Sequence, residues 1–217
     1  MSGLKEESFE DQMTNTEDGG AQEYIAAVGL PKGLIYRGDS EETTGVIRIG
    51  GHLVDSLTPA AYTVWTRCLT PVAAGGNAAR EISSAQGYHP WVCQSALDEL
   101  FASGYLVWLQ LGSRLAQEIS NLKPIPSGYG AGNSFVAPDK YYMIGKSEAP
   151  VVLDVIGQAL WSLMDGSITF GEIAAEGSKW LGITPELIEM GLIYTTVELM
   201  KGSCLYLDWS TCSQEQL

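Results

Sequence analysis

The sequence predicts an α+β fold, mainly helical, built from two similar units in tandem. One order of apolar patterns occurs twice: a strand-like segment (VIRIGG at 46–51, YYMIGK at 141–146) precedes a helical pattern carrying Trp65 or Trp161. Two more helical patterns and an apolar strand follow in both halves. Helix-start and helix-stop signals fall at corresponding places. The repeated order therefore indicates duplication of one unit.

Residues suited to begin a helix mark several of these patterns. Thr58-Pro59 and Thr184-Pro185 each combine an N-cap residue with proline at the first helical position. Thr169 and Glu172 have the spacing of a capping box, in which each side chain bonds a free amide of the other residue. We therefore expect helices to start at these three places.

The third helical pattern of each unit is followed by a glycine, Gly104 or Gly202. Each glycine is expected to end its helix in the left-handed conformation, and apolar strands follow at 105–109 and 204–207. Three helices closed by a strand describe a winged helix-turn-helix. Each unit is therefore predicted to be winged helix-turn-helix, with a small antiparallel β-sheet.

Composition along the chain predicts five segments. Residues 1–20 carry six acids and one lysine without an apolar period, which indicates a disordered acidic tail. The first unit is placed at 21–122 and the second at 134–210. Prolines and glycines at 123–133 predict a linker, and 211–217 is expected to be a C-terminal tail.

Charge and hydropathy argue against a nucleic-acid-binding, membrane or secreted protein. The net charge of −14 and the pI of about 4.4 argue against nucleic-acid binding, and the third-helix segments 90–103 and 185–200 contain no Lys or Arg. No membrane-length apolar run or signal peptide is visible, so we expect a cytoplasmic protein. Its cysteines are expected to be thiols.

The residues that catalysis or metal binding would need are sparse. His89 and Cys93 stand four residues apart, and only Cys68 and His52 in the same half could complete a zinc site, so no metal is predicted. The glycine-rich stretches at 75–76 and 128–132 lack the Lys-Ser/Thr ending of a phosphate loop. The chain is therefore expected not to be an enzyme and to use no cofactor.

Residues 134–208 resemble a known family in the order of their motifs. Leu153-Asp154, Trp161, Asp165-Gly166, Thr169 with Glu172-Ile173, and Glu198-Leu199 follow one another as in PqqD-like proteins, the winged-helix RiPP recognition elements that bind leader peptides. The first unit matches less well, because 70–76 replaces the short Asp-Gly turn.

The resemblance implies that an extended peptide adds as a strand to a sheet edge beside the third helix of the second unit. The edge strand would be 135–144 or 151–153. The peptide-binding residues implied are Val151, Val152, Leu153, Leu187, Met190, Ile193 and Tyr194. The partners implied are a precursor or leader peptide and a modifying enzyme, to which this chain would present the peptide as a non-catalytic adaptor.

Two other functions stay open at this point. An acidic tandem winged-helix subunit could clamp a larger protein partner, with apolar faces at the seam between units or on a homodimer surface. A DNA-binding regulator would need to bind through its wings or linker, where Arg48, Arg114 and Lys123 lie.

Overall fold

The computed structural model describes residues 22–36, 43–75, 77–133, 136–147 and 149–210. It is an α+β structure in which these residues form seven helices and four small antiparallel sheets of two or three strands. The predicted tails at 1–20 and 211–217 both lie outside the described residues, the last of which is residue 210.

The first half contains a strand, a three-stranded sheet, three helices with a short strand after the first of them, and a closing strand. Its elements are β1 (Glu23–Ala27), β2 (Leu30–Tyr36), β3 (Thr43–Ile49), β4 (His52–Leu57), α1 (Pro59–Arg67), β5 (Val72–Ala73), α2 (Ala78–Gln86), α3 (Pro90–Ala102) and β6 (Leu106–Gln110). The sheets have the orders β2-β3-β4 and β5-β1-β6.

The second half repeats this order after one short helix, but without a counterpart of β5 among its described residues. Its elements are α4 (Gln117–Ser120), β7 (Leu122–Pro126), β8 (Tyr129–Asn133), β9 (Tyr141–Ile144), β10 (Val151–Leu153), α5 (Val155–Leu163), α6 (Phe170–Leu181), α7 (Pro185–Lys201) and β11 (Leu205–Trp209). The sheets have the orders β10-β9-β8 and β11-β7.

The first and last strands of the two halves pair in the same register. β1 runs antiparallel to β6 with Glu23 opposite Gln110, and β7 runs antiparallel to β11 with Leu122 opposite Trp209. In both pairs the first residue of a five-residue strand lies opposite the last residue of its partner. Trp108 and Leu207 therefore occupy corresponding positions, as do Leu109 and Asp208.

Two of the predicted helix starts form the expected bonds. The Thr58 hydroxyl accepts a bond from the Ala61 amide, and Thr169 and Glu172 form a complete capping box. Thr184 precedes α7 without a side-chain capping bond. The side chain of Thr184 is therefore not what starts α7, whose first helical residue is Pro185, with φ already suited to a helix.

The ends of α3 and α7 differ from the prediction in one respect. Gly104 has the expected left-handed φ of 68°, but Gly202 has φ of −79° and the left-handed residue after α7 is Ser203, with φ of 55°. The amide of Cys204 bonds the carbonyl of Leu199 at 2.8 Å, which closes α7 with a Schellman motif. The prediction for Gly202 is therefore wrong by one residue.

The segment predicted to be a linker, 123–133, forms β7 and β8 instead. Pro124 and Pro126 are two residues apart, so their nitrogens point to the same side of β7. Leu207 lies opposite Pro124, and its carbonyl points away from β7, toward the Gly29 amide. In such an antiparallel pair the backbone groups of both residues point outward. The proline nitrogens therefore face the side of β7 that has no strand partner among the described residues. The second half therefore begins at β7 rather than at residue 134.

The prediction that 135–144 is an edge strand is also wrong. β9 lies between β8 and β10, which makes it the central strand of its sheet, and residue 135 is outside the described residues. β10 is an edge strand of the same sheet, as the alternative prediction had it.

Two hydrophobic cores meet on opposite faces of β1. Ile25 and Ala27 belong to the core of the first half, whereas Tyr24, Ala26 and Val28 belong to a core formed mostly by the second half. Alternate residues of a strand point to opposite faces, which explains this division. The two halves are therefore joined through a shared strand rather than separated by a linker.

Among the described residues, no helix combines the length and apolar character that crossing a membrane requires. Cys68, Cys93 and Cys204 are buried free thiols, and Cys212 lies outside the described residues.

Candidate functional site

The predicted peptide-binding residues of β10 differ in their exposure. Val152 is 48% exposed, Val151 is half-buried, and Leu153 is buried in the core at 4% exposure. Of these three residues, Val152 therefore has the most surface available to a ligand.

The four predicted residues of α7 do not share one face. Leu187, Met190 and Tyr194 follow one another at helical spacing and are half-buried or exposed, with Tyr194 at 42%. Burial raises the pKa of the Tyr194 hydroxyl, and the nearby Glu198 carboxylate adds to this effect. Ile193 is 3% exposed and packs beside Leu109 on another side of the helix. The structure thus does not bring Ile193 together with the others.

The sheet of the second half is packed tightly onto the end of its own third helix. The amides of Ser127 and Gly128 both bond the Cys204 carbonyl, at 2.8 and 3.0 Å. A Cβ atom on Gly145 would overlap the carbonyl oxygen of Gly202, and one on Gly202 would overlap the side chain of Val151. No space for a peptide therefore exists between this sheet and the C-terminal end of α7.

The sheet of the first half is anchored differently. The Val28 amide bonds the Tyr105 carbonyl at 3.0 Å, as Ser127 bonds Cys204, but the next amide, of Gly29, bonds Leu207 of the second half at 2.7 Å. The turn between β3 and β4 also contacts the second half, since the Gly50 amide bonds the Asp208 carboxylate at 2.7 Å. This sheet is therefore held on β11, away from the end of α3.

A groove of about 1090 Å³ lies where the first half is open. We call it the seam groove. Its walls are β4, the β3–β4 turn, the end of α3, β6, α4 and the end of β11. Its lining includes Val54, Phe101, Trp108, Gln110, Ile119 and Trp209.

An aromatic pair forms one wall of the seam groove. The rings of Phe101 and Trp108 stack with centroids 4.7 Å apart and planes 7° from parallel, and Trp108 remains 47% exposed. One face of the indole is covered by Phe101, so its remaining surface is available to an apolar ligand group.

The backbone of β6 adds a polar edge to this wall. Among the described residues β6 pairs with β1 alone. On the side that faces β1, the Tyr105 carbonyl accepts a bond from the Val28 amide, and the Leu111 amide donates to the Gln22 carbonyl. Backbone groups of successive residues in a strand point to alternate sides. Those of Leu106 and Trp108 therefore point away from β1. The seam groove therefore presents amides and carbonyls that another strand can bond.

The seam groove was not predicted from the sequence. Its residues come from segments near positions 52, 101, 108, 117 and 209, and no local spacing connects them. The exposure that sets Trp108 apart from the buried apolar residues of its strand LVWLQ is visible only in the structure. An exposed tryptophan inside such a strand is typical of a binding surface.

The thiols of Cys68, Cys93 and Cys204 are buried, and His89 serves as a helix cap. Burial raises the pKa of Cys68 to about 12 and also raises the pKa values of Cys93 and Cys204, so these thiols are protonated. His89 caps α3 by accepting a bond from the Trp91 amide. Within the part of the chain that the structure describes, no three metal-ligand side chains of the usual types lie together.

The third helices also lack the charge that a DNA-reading helix would need. α3 carries no Lys or Arg, and the last residue of α7, Lys201, is paired with Glu198 at 2.8 Å. Arg114, which the regulator hypothesis would use, is paired with Glu186 at 2.6 Å. No observation therefore favours a DNA-binding function.

Comparison with known proteins gives little. No family model matches the chain, and no curated protein matches it. Among solved structures, PKMT2 from Rickettsia typhi matches at 12% identity and a TM-score of 0.33, over 85% of this chain and 43% of PKMT2. The region matched is therefore less than half of PKMT2. None of these comparisons identifies a RiPP recognition element, and that resemblance stays a prediction.

One prediction is corrected at this point. The expectation that this chain is not an enzyme is withdrawn beside the match to PKMT2, and a non-catalytic role is not carried further. At a TM-score of 0.33 the match assigns neither an activity nor a site to any residue of the chain.

Proposed function

We propose that the chain binds an extended peptide, which adds as a strand to the free edge of β6 in the seam groove. In this proposal each half is a winged helix-turn-helix unit, and the protein is cytoplasmic. The peptide is the leader of a precursor that a separate modifying enzyme acts on, as the resemblance of residues 134–208 implies. The binding site differs from the one expected from the sequence, which lay in the second half.

One observation carries the proposal: the molecule already adds a segment to the corresponding edge of its second half. Val28 forms a parallel bridge with Leu207 of β11, and the Gly29 amide bonds the Leu207 carbonyl at 2.7 Å. Trp108 occupies in β6 the position that Leu207 occupies in β11. The same kind of edge is therefore filled by the chain itself in the second half and faces a groove in the first.

The surroundings of β6 indicate the chemistry of the peptide. Side chains alternate along an added strand, so every second peptide residue would face the wall formed by Phe101 and Trp108. Aromatic and β-branched residues suit such cross-strand contacts. The net charge of −14 repels an acidic peptide at long range, so a neutral or basic peptide is favoured.

The surface formed by Val152, Met190 and Tyr194 is a second candidate site for the same peptide. β10 has β9 as its strand neighbour and no second strand beside it among the described residues, and Val152 and Tyr194 are exposed. The close packing of Val151 against Gly202 limits this site to the part of α7 before its end.

The test is fluorescence anisotropy with a labelled peptide of about ten residues, long enough to cover a five-residue strand, in which Val or Phe alternates with Ser or Lys. We expect the wild-type protein to bind it. Two versions of the peptide are N-methylated, one at the odd-numbered amides and one at the even-numbered amides. Only one version should lose binding, because only alternate amides of an added strand bond the edge of β6. Equal binding of both methylated peptides would exclude strand addition.

Three variants locate the site. Trp108→Ala should weaken binding about thirtyfold, since a buried tryptophan contact is typically an energetic hot spot. Trp180→Ala is the matched control, because Trp180 is a 63% exposed tryptophan on α6 outside the residues that line the seam groove. If Met190→Asp weakens binding and Trp108→Ala does not, the peptide binds in the second half and the seam groove is not its site.

A further inference from the structure

The β3–β4 turn of the first half is held by a carboxylate of the second half. The Gly50 amide donates to Oδ1 of Asp208 at 2.7 Å, between residues 158 positions apart. Asp208 is 9% exposed, and the same oxygen accepts a bond from the Trp209 amide at 3.0 Å. A hydrogen bond to a charged acceptor is stronger than one between neutral groups. Asp208 therefore fixes the turn that forms one wall of the seam groove.

The neighbouring residue of β11 holds the opposite wall. The indole N–H of Trp209 donates to the carbonyl of Gly104, the left-handed residue after α3, at 3.0 Å. The Trp209 side chain also packs against both hydrophobic cores. Two consecutive residues of β11 thus contact the two sides of the groove, one at the β3–β4 turn and one at the end of α3.

Comparison of the two halves shows that the carboxylate at this place is unusual. The position of Asp208 in β11 corresponds to that of Leu109 in β6, and Leu109 is buried in the core at 1% exposure. A nearly buried carboxylate is costly unless hydrogen bonds compensate it. Here an amide of the other half supplies one of those bonds, which indicates a role in joining the halves rather than in packing.

From these contacts we infer that Asp208 and Trp209 are positioning residues that set the width of the seam groove, so that the second half controls peptide binding by the first. The claim that these residues affect peptide affinity rests on the proposed function. The claim that Asp208 fixes the β3–β4 turn rests only on the two hydrogen bonds of its carboxylate, and exchange of the Gly50 amide tests it without any peptide.

The first measurement is amide hydrogen exchange at Gly50, followed by NMR on the full chain. Asp208→Ala should raise its exchange rate roughly tenfold or more, because the amide loses a charged acceptor. Asp208→Asn keeps an acceptor oxygen and should restore much of the protection, which a general loss of stability would not do. Thr169→Ala, a destabilising change at the start of α6, is the control and should leave Gly50 unchanged.

The second measurement is the affinity for the alternating peptide described above. Asp208→Ala and Trp209→Phe, which lacks the N–H donor, should each weaken binding roughly tenfold, while Asp208→Asn should bind more tightly than Asp208→Ala. Should Asp208→Ala fail to fold, Trp209→Phe supplies the affinity readout. Asp208→Asn, which replaces a charged acceptor by a neutral one, then supplies the exchange readout at Gly50, with a smaller expected increase than the roughly tenfold increase of Asp208→Ala.

The outcomes separate this inference from the proposed function. Wild-type exchange at Gly50 in Asp208→Ala overturns the inference, whatever the peptide does. If Gly50 exchanges faster in Asp208→Ala but the peptide binds with wild-type affinity, the second half does not control peptide binding in the seam groove. If the wild-type protein binds no peptide but Gly50 exchange still rises in Asp208→Ala, the proposed function fails and the positioning of the turn by Asp208 is upheld.

Discussion

The two halves of the molecule share the order of their main strands and three long helices, and the register in which their first and last strands pair. They differ in what lies beside their closing strands. The outer edge of β11 is occupied by Val28 and Gly29, and the second-half sheet packs onto the end of α7. The outer edge of β6 faces the seam groove, and the first-half sheet is held on β11 instead. The corresponding strand edge is therefore covered by the chain itself in the second half and faces a groove in the first.

The largest difference in stability is expected at the two corresponding tryptophans. Trp65 is fully buried and its indole N–H bonds the Val28 carbonyl at 3.1 Å, whereas Trp161 is only partly buried. Trp65→Ala should lower the free energy of unfolding by about 3–5 kcal/mol, and Trp161→Ala by less. Urea denaturation followed by circular dichroism measures both. Equal losses would show that the helices of the two halves are packed equally well.

A smaller but more specific difference is expected at the ends of β3 and β9. A Cβ atom on Gly145 would overlap a backbone oxygen, whereas one on Gly50 would meet nothing closer than 3.7 Å. Gly145→Ala should cost about 1–3 kcal/mol through overpacking. Gly50→Ala should cost about 1 kcal/mol, because Gly50 has a left-handed φ of 55°.

The measurement is again denaturant unfolding of both variants beside the wild type. Gly50→Ala should also leave peptide affinity within a few fold of the wild-type value, because the amide that bonds Asp208 is kept. A larger cost at Gly50 than at Gly145 would contradict the view that the second half is the closed one.

The starts of α2 and α6 should differ by about 1 kcal/mol. Thr169 and Glu172 form a complete capping box, while Asn77 at the start of α2 forms no side-chain capping bond. Thr169→Ala should therefore cost about 1 kcal/mol and Asn77→Ala much less. Thermal unfolding of the two variants at neutral pH is the measurement, and equal shifts would contradict this account of the caps.

The capping box also predicts a dependence on pH. Bonds from the amide and hydroxyl of Thr169 lower the pKa of the Glu172 carboxyl. A carboxyl with a lowered folded-state pKa adds stability above its unfolded pKa and loses it as the pH falls through the folded value. The gap between wild type and Glu172→Gln should therefore be largest near neutral pH and close in acid. A gap that does not change with pH would refute the linkage.

The smallest effect is expected where the two third helices end. Gly104 adopts the left-handed conformation freely, whereas Ser203 adopts it with a side chain. Ser203→Gly should stabilise the protein by up to about 1 kcal/mol, and Gly104→Ser should destabilise it by a similar amount. Differential scanning calorimetry resolves such shifts. A destabilised Ser203→Gly variant would show that the Ser203 side chain has contacts that outweigh the backbone strain.

Local signals in the sequence predicted the helices well, because the chemistry that starts a helix lies within a few residues. The Thr169–Glu172 box and the Thr58 cap are examples, and both are formed. The repeated order of patterns also predicted an α+β structure. Whether each half is a winged helix-turn-helix unit stays a proposal, because two- and three-stranded sheets alone do not distinguish that arrangement.

The strands in 122–133 could not be predicted from composition. Prolines and glycines usually interrupt sheets, but Pro124 and Pro126 are tolerated because one side of β7 has no strand partner among the described residues. Gly130 is needed because a Cβ atom there would overlap the hydroxyl of Tyr141 on the neighbouring strand. Both reasons depend on partners elsewhere in the chain, which a local pattern does not contain.

The candidate site was predicted least well. The resemblance placed it on β10 and α7, where the structure leaves Val152 and Tyr194 exposed but turns Ile193 into the core. The seam groove depends on where the first-half sheet lies relative to β11, to which Gly29 and Gly50 each form one hydrogen bond. No periodicity in the sequence encodes it.

The shared strand β1 affects the order in which the protein can be completed during synthesis. β1 leaves the ribosome before every other described element. The side chains of Tyr24 and Ala26 in β1, and of Val28 just after it, pack in a core made mostly of residues after 119. β11, which holds Gly29 and Gly50, is the last described strand to emerge. The core of the first half can therefore form early in synthesis, but one face of β1 stays exposed to solvent until the second half has been synthesised and has folded.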